Sequence, residues 1–80
     1  MLASTLVAAY VLIETQEADP LVVVTALRDM PQVQQAHMLL GPTDCIAYVE
    51  CATHDALRDT VTQIRALPGV LKTDTRYVYG

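Results

Sequence analysis

The 80-residue chain is poor in positive charge: Arg28, Arg58, Arg65, Lys72 and Arg76 are its only Lys and Arg residues. They form no run, and the formal net charge is −4. Neutralising phosphates needs clustered Lys and Arg, so this composition argues against direct contact with nucleic acid. Long apolar runs are missing too. None approaches the roughly 20 residues that a membrane span requires, and the N-terminus has no positively charged start of the signal-peptide kind. A cytoplasmic location is the expectation. The two cysteines, Cys45 and Cys51, form no CxxC pair and lie near no pair of histidines. On one extended strand they stand about 20 Å apart, beyond disulfide reach. They read as small buried hydrophobes, and no metal site or cofactor is expected. Gly41, Gly69 and Gly80 are isolated, so no phosphate-cradling glycine loop exists. No spacing pairs Glu14, Asp44 or Glu50 for acid–base work, and nothing brings His37 and His54 together. No catalytic residue is assigned, and the chain is read as a non-enzyme.

What is present is an excess of apolar residues. The chain is 52% hydrophobic and 18% charged, too apolar for disorder. One domain spanning residues 1–80 is expected. A chain of this size buries only about 60% of its unfolded surface and is marginal alone. The surplus of apolar surface therefore points to an oligomer.

The midpoint, Leu40-Gly41-Pro42-Thr43-Asp44-Cys45, organises the rest. Gly permits positive φ and Pro fixes φ, so the pair marks a loop joining two strands as a hairpin. Asp44 then sits at the mouth of the second strand, as an Asx-type turn former or as a ligand for a cation. Along the chain, Leu6 to Glu14 reads as a strand. Asp19-Pro20 opens a helix reaching about Met30, with Leu21, Val24, Leu27 and Met30 inward. Val33 to Leu40 and Cys45 to Cys51 are the next strands. Thr53 caps a second helix, about His54 to Leu67, with Leu57, Val61, Ile64 and Leu67 inward. Val70 to Tyr79 closes the chain as a strand.

The halves echo each other. Leu27-Arg28-Asp29-Met30-Pro31-Gln32-Val33 matches Ile64-Arg65-Ala66-Leu67-Pro68-Gly69-Val70 at an offset of 37. Two strand–helix–strand units joined by a hairpin give the α+β, ferredoxin-like βαββαβ fold, a four-stranded antiparallel sheet with both helices on one face. An antiparallel sheet with one wet face should alternate apolar and polar residues. Strands one and three are apolar on both faces, so the uncovered face is also expected to leave water. Burying ~800 Å² per subunit would use it. The expectation is a homodimer whose sheets pack face to face or close into a joint barrel.

Three passages in this order resemble the effector-binding RAM domain of the Lrp/AsnC (feast/famine) transcriptional regulators. They are Ala9-Tyr10-Val11-Leu12-Ile13-Glu14, the Gly41-x-x-Asp44 loop, and Leu67-Pro68-Gly69-Val70-Leu71-Lys72-Thr73-Asp74-Thr75. The likeness covers residues 6 to 79 and lacks the family's helix-turn-helix domain. It implies a stand-alone module acting on metabolism or transcription through partners. It also implies ring-like assemblies of dimers, with a small effector such as an amino acid bound between them. Gly41 and Asp44 match the family's effector-loop glycine and aspartate, and Thr73 and Thr75 the threonines of its last strand. Many members carry an aromatic residue where this chain has Thr43, and Pro42 removes a backbone donor from the loop. Two other readings share the fold: a dimeric α+β barrel enzyme of monooxygenase or isomerase type, with His37 or Tyr48 in a cavity between sheet and helices, and an ACT-like regulatory domain.

Overall fold

The computed structural model describes residues 6–16, 19–41 and 43–79; the reading of Pro42 as a lost donor lies outside them. Six elements follow in order: β1 Val7–Thr15, α1 Pro20–Arg28, β2 Val33–Met38, β3 Cys45–Cys51, α2 His54–Arg65 and β4 Val70–Tyr77. The strands form one antiparallel sheet in the order β2-β3-β1-β4. This is the expected ferredoxin-like arrangement.

Both helices begin where their caps dictate. Asp19 accepts the Leu21 amide at 3.0 Å ahead of Pro20, and Thr53 accepts the Ala56 amide at 3.0 Å. The repeated Met30-Pro31 and Leu67-Pro68 stops fold alike. The Val33 amide donates to the Met30 carbonyl at 3.0 Å, and the Val70 amide to that of Leu67 at 3.2 Å. Each helix ends two residues before the expected limit, at Arg28 and Arg65. β2 stops at Met38, and one further in-register bond, from the Leu39 amide to the Asp44 carbonyl (2.7 Å), closes the hairpin loop.

The core lies between sheet and helices. Ala9, Val11 and Ile13 of β1, Ala36 of β2, and Cys45, Ala47, Val49 and Cys51 of β3 meet Val23, Val24 and Leu27 of α1 and Leu57, Val61 and Ile64 of α2. One inward residue differs from the reading of the sequence: Leu21 is half exposed, and Val23 takes the buried place. Spacing by threes falls about 60° short of a full turn at each step. Leu21 therefore drifts off the stripe that Val24 and Leu27 define. Thr60 is a second addition to the core. Its hydroxyl donates to the Ala56 carbonyl at 2.8 Å, so its burial leaves no group unpaired. Both cysteines are free and buried. No helix among the described residues is long and apolar enough to cross a membrane.

The other face carries no helix. Strand register sets two rows across it: His37, Ile46, Leu12 and Asp74, then Gln35, Tyr48, Tyr10 and Arg76. The middle of each row is apolar and the ends are polar. Tyr10 and Tyr48 pack with ring centroids 5.0 Å apart, and Tyr10 stays 46% exposed.

Candidate functional site

The β2–β3 loop is held from both sides. Gly41 has φ 121°, a conformation L side chains rarely adopt, although a Cβ there would meet nothing within 4 Å. The residue is needed for its backbone, not for space. Asp44, at the loop's far end, is half-buried and faces the end of β1. Its amide donates to the Ile13 carbonyl at 3.0 Å. Its Oδ2 accepts both the Thr15 amide (2.8 Å) and the Thr15 hydroxyl (3.2 Å). Among the described residues Oδ1 has no partner. Asp44 is thus neither a local turn former nor wholly free: one oxygen ties the loop to β1 and the other remains available.

Thr73 and Thr75 pair with Ile13 and Val11 of β1, which places both threonines on the helix-facing side of β4. Both are half-buried. The Thr73 hydroxyl accepts Arg65 Nε from the last turn of α2 at 3.0 Å. Asp44 and Thr73 belong to the same end of the sheet with β1 between them, since Ile13 pairs with Cys45 on one side and Thr73 on the other. Two strand spacings put their backbones roughly 10 Å apart. Among the described residues the four make no closed pocket within one chain.

An open cleft of about 230 Å³ lies at the opposite end of β1, among Leu6, Val7, His54, Tyr77, Val78 and Tyr79, and contains none of the four. His54 is exposed at the start of α2 and stacks obliquely on Tyr77, with ring centroids 5.9 Å apart. His37 and Tyr48 project from the face away from the helices, not into a cavity beneath them. Desolvation raises the pKa of the Tyr48 phenol, and the charge and hydrogen bond of Glu50, whose Oε2 accepts the Tyr48 hydroxyl at 3.3 Å, raise it further. Among the described residues no three His, Cys, Asp or Glu side chains converge as metal ligands.

Thr15 and Arg65 are the neighbours of the site that the sequence did not single out. The Thr15 contact reaches 29 residues along the chain and lies in no motif, while Arg65 lies in the repeated segment and bonds 8 residues ahead.

Comparison with known proteins bears on the family and the fold. The family model described as "Lrp/AsnC ligand binding domain" matches residues 8–80. The solved structure of FFRP-DM1 is 31% identical, covers 91% of this chain and 99% of its own, and superposes with a TM-score of 0.86. TTHA0845 from Thermus thermophilus is 32% identical over 92% of this chain and 94% of its own, with a TM-score of 0.85. The transcriptional regulator NMB0573 from Neisseria meningitidis, solved as a complex with L-Met, shares the fold at 18% identity and a TM-score of 0.83; the match covers 92% of this chain and 50% of that one. No curated protein sequence matches this chain.

Proposed function

The chain belongs to the Lrp/AsnC ligand-binding domain family, and from that premise we propose that it is an effector-binding and oligomerisation module for an amino acid or similar small zwitterion. It acts in the cytoplasm, on metabolism or transcription, through partner proteins and not by chemistry of its own. The observation that carries this reading is the Asp44 carboxylate. It is fixed by Thr15 through Oδ2 and leaves Oδ1 for an ammonium group. Gly41 lets a ligand approach the loop backbone closely, and Thr73 and Thr75 offer hydroxyls to its carboxylate. The L-Met complex of the Neisseria regulator supports an amino acid as the ligand class.

The site is open in one chain, so its remaining walls come from other copies. The apolar centre of the bare face, Tyr10, Leu12, Ile46 and Tyr48, packs against a second copy to give a homodimer. Dimers assemble further, and the effector lies between them. A thermal-shift screen against the twenty amino acids tests the effector. Ligand at ~100 times its dissociation constant adds about 2.7 kcal/mol of stability. Sedimentation of Tyr10→Glu tests the dimer: the variant should form a smaller assembly than the wild type and still be folded. A screen without any hit removes the effector reading, and an undiminished assembly in Tyr10→Glu removes the face-to-face dimer.

A further inference from the structure

Three of the four arginines are occupied within the chain. Arg28 donates through Nε and Nη2 to the Ala36 carbonyl, at 3.1 and 2.8 Å. Arg58 pairs with Asp55, three residues earlier on α2, at 3.1 Å, and Arg76 meets both carboxylate oxygens of Asp74. Arg65 differs. Its Nε donates to the neutral Thr73 hydroxyl at 3.0 Å, and among the described residues its Nη1 and Nη2 meet no acceptor. The sequence holds nine acidic residues against five Lys and Arg, yet among the described residues none of them pairs with this guanidinium.

A cation in the last turn of α2 suits the helix dipole, and a lysine would serve that purpose equally. The bond to Thr73 does more. It carries the side chain from α2 onto the helix-facing side of β4, where half-buried Thr73 and Thr75 stand two residues apart. A hydroxyl that accepts a bond from Nε keeps its own proton to donate. Donors from two elements therefore gather beside Thr73: the Nη groups of Arg65 and the threonine O–H. The guanidinium presents its donors in a rigid fork that matches the two oxygens of a carboxylate.

We propose that Arg65 is the carboxylate anchor of the effector site, gripping the effector's carboxylate through its Nη donors beside the Thr73 hydroxyl. Resting on the effector reading above, this assignment gives each end of a zwitterion a partner of opposite charge: Asp44 for the ammonium and Arg65 for the carboxylate. It also sets a limit on what binds. An amine without a carboxyl group, or an amino acid whose carboxyl is an amide, brings no negative charge to the guanidinium.

Binding measurements on the full chain test it, using the amino acid with the largest thermal shift among the twenty, and its carboxamide. Wild-type protein should prefer the acid, and Arg65→Gln should lose most of that preference by weakening the acid alone. The expected loss is about 10- to 100-fold, the range for a missing hydrogen bond to a charged group. Arg65→Lys keeps a cation at the end of α2 without the fork. Its urea midpoint should match the wild type, while its affinity for the acid should fall between those of the wild type and Arg65→Gln. An undiminished preference in Arg65→Gln, or an equal loss for acid and carboxamide, overturns the anchor and leaves the effector reading standing. Full affinity in Arg65→Lys does the same, because the residue is then only a charge at a helix end. A wild type that binds no amino acid removes both.

Discussion

Asp44 and Thr15, 29 residues apart, are joined by two hydrogen bonds to a single carboxylate oxygen. This clamp fixes the β2–β3 loop on the end of β1, so one residue contributes to stability and to the proposed ligand site. Hydrogen bonds to a charged group contribute about 1.5–3 kcal/mol. Asp44→Ala should lower the unfolding free energy by about that amount in urea denaturation, and it should abolish any amino-acid-induced thermal shift. Asp44→Asn keeps an acceptor for Thr15 but no charge for an ammonium. It should recover most of the stability and none of the binding.

The core rests on a few fully buried side chains shared by sheet and helices. Leu57 of α2 is one of them, with no exposed surface. Leu57→Ala should cost about 2–5 kcal/mol, the range for a buried leucine truncated in a packed interior. Denaturant midpoints at an unchanged m-value would measure it.

The cap of α2 is a smaller and separable contribution. Thr53→Ala removes the acceptor for the Ala56 amide and should cost about 1 kcal/mol. Thr53→Ser should restore it, as read by thermal unfolding.

Burial and then the Asp44 charge push the Cys45 thiol above its ordinary range. A group whose folded pKa is raised contributes stability that is complete below its unfolded pKa. That contribution fades as pH rises through the folded value. Unfolding free energy should therefore decline on the alkaline side, above the ordinary thiol range, and less so in Cys45→Ala. Alkylation of Cys45 near neutral pH should be slow, because the thiolate is the reactive form.

The hydrogen bond from Arg76 holds the Asp74 carboxyl below its ordinary range, and the Arg76 and Lys72 charges add to this. Its contribution is present above the unfolded carboxylate pKa and is lost as pH falls through the lower, folded value. A carboxyl titration by nuclear magnetic resonance should place the Asp74 midpoint below that of a free aspartate, and Arg76→Ala should raise it.

Much of the fold was legible because local signals agreed. Asp19-Pro20 and Thr53 mark the helix starts, the two proline stops repeat, and strand β3 runs over Cys45–Cys51 as the apolar run indicates. Leu21 departs from its expected place because hydrophobicity at a spacing of three resembles a helical stripe without following its angle. Helix and strand ends shifted by a turn or less. The site was less legible. Gly41 announces itself through the backbone it must adopt, and Asp44 through its place beside the turn. Thr73 and Thr75 look like ordinary strand residues and stand out only through the family pattern. Thr15 acts through a contact formed only when segments 29 residues apart meet, and no periodicity encodes it.

Titration calorimetry, with the amino acid giving the largest thermal shift, tests the account most directly. Wild-type protein should bind it saturably, and folded, still dimeric Asp44→Asn should release no heat of binding. Equal affinity in that variant, or no binding of any amino acid by the wild type, would contradict it.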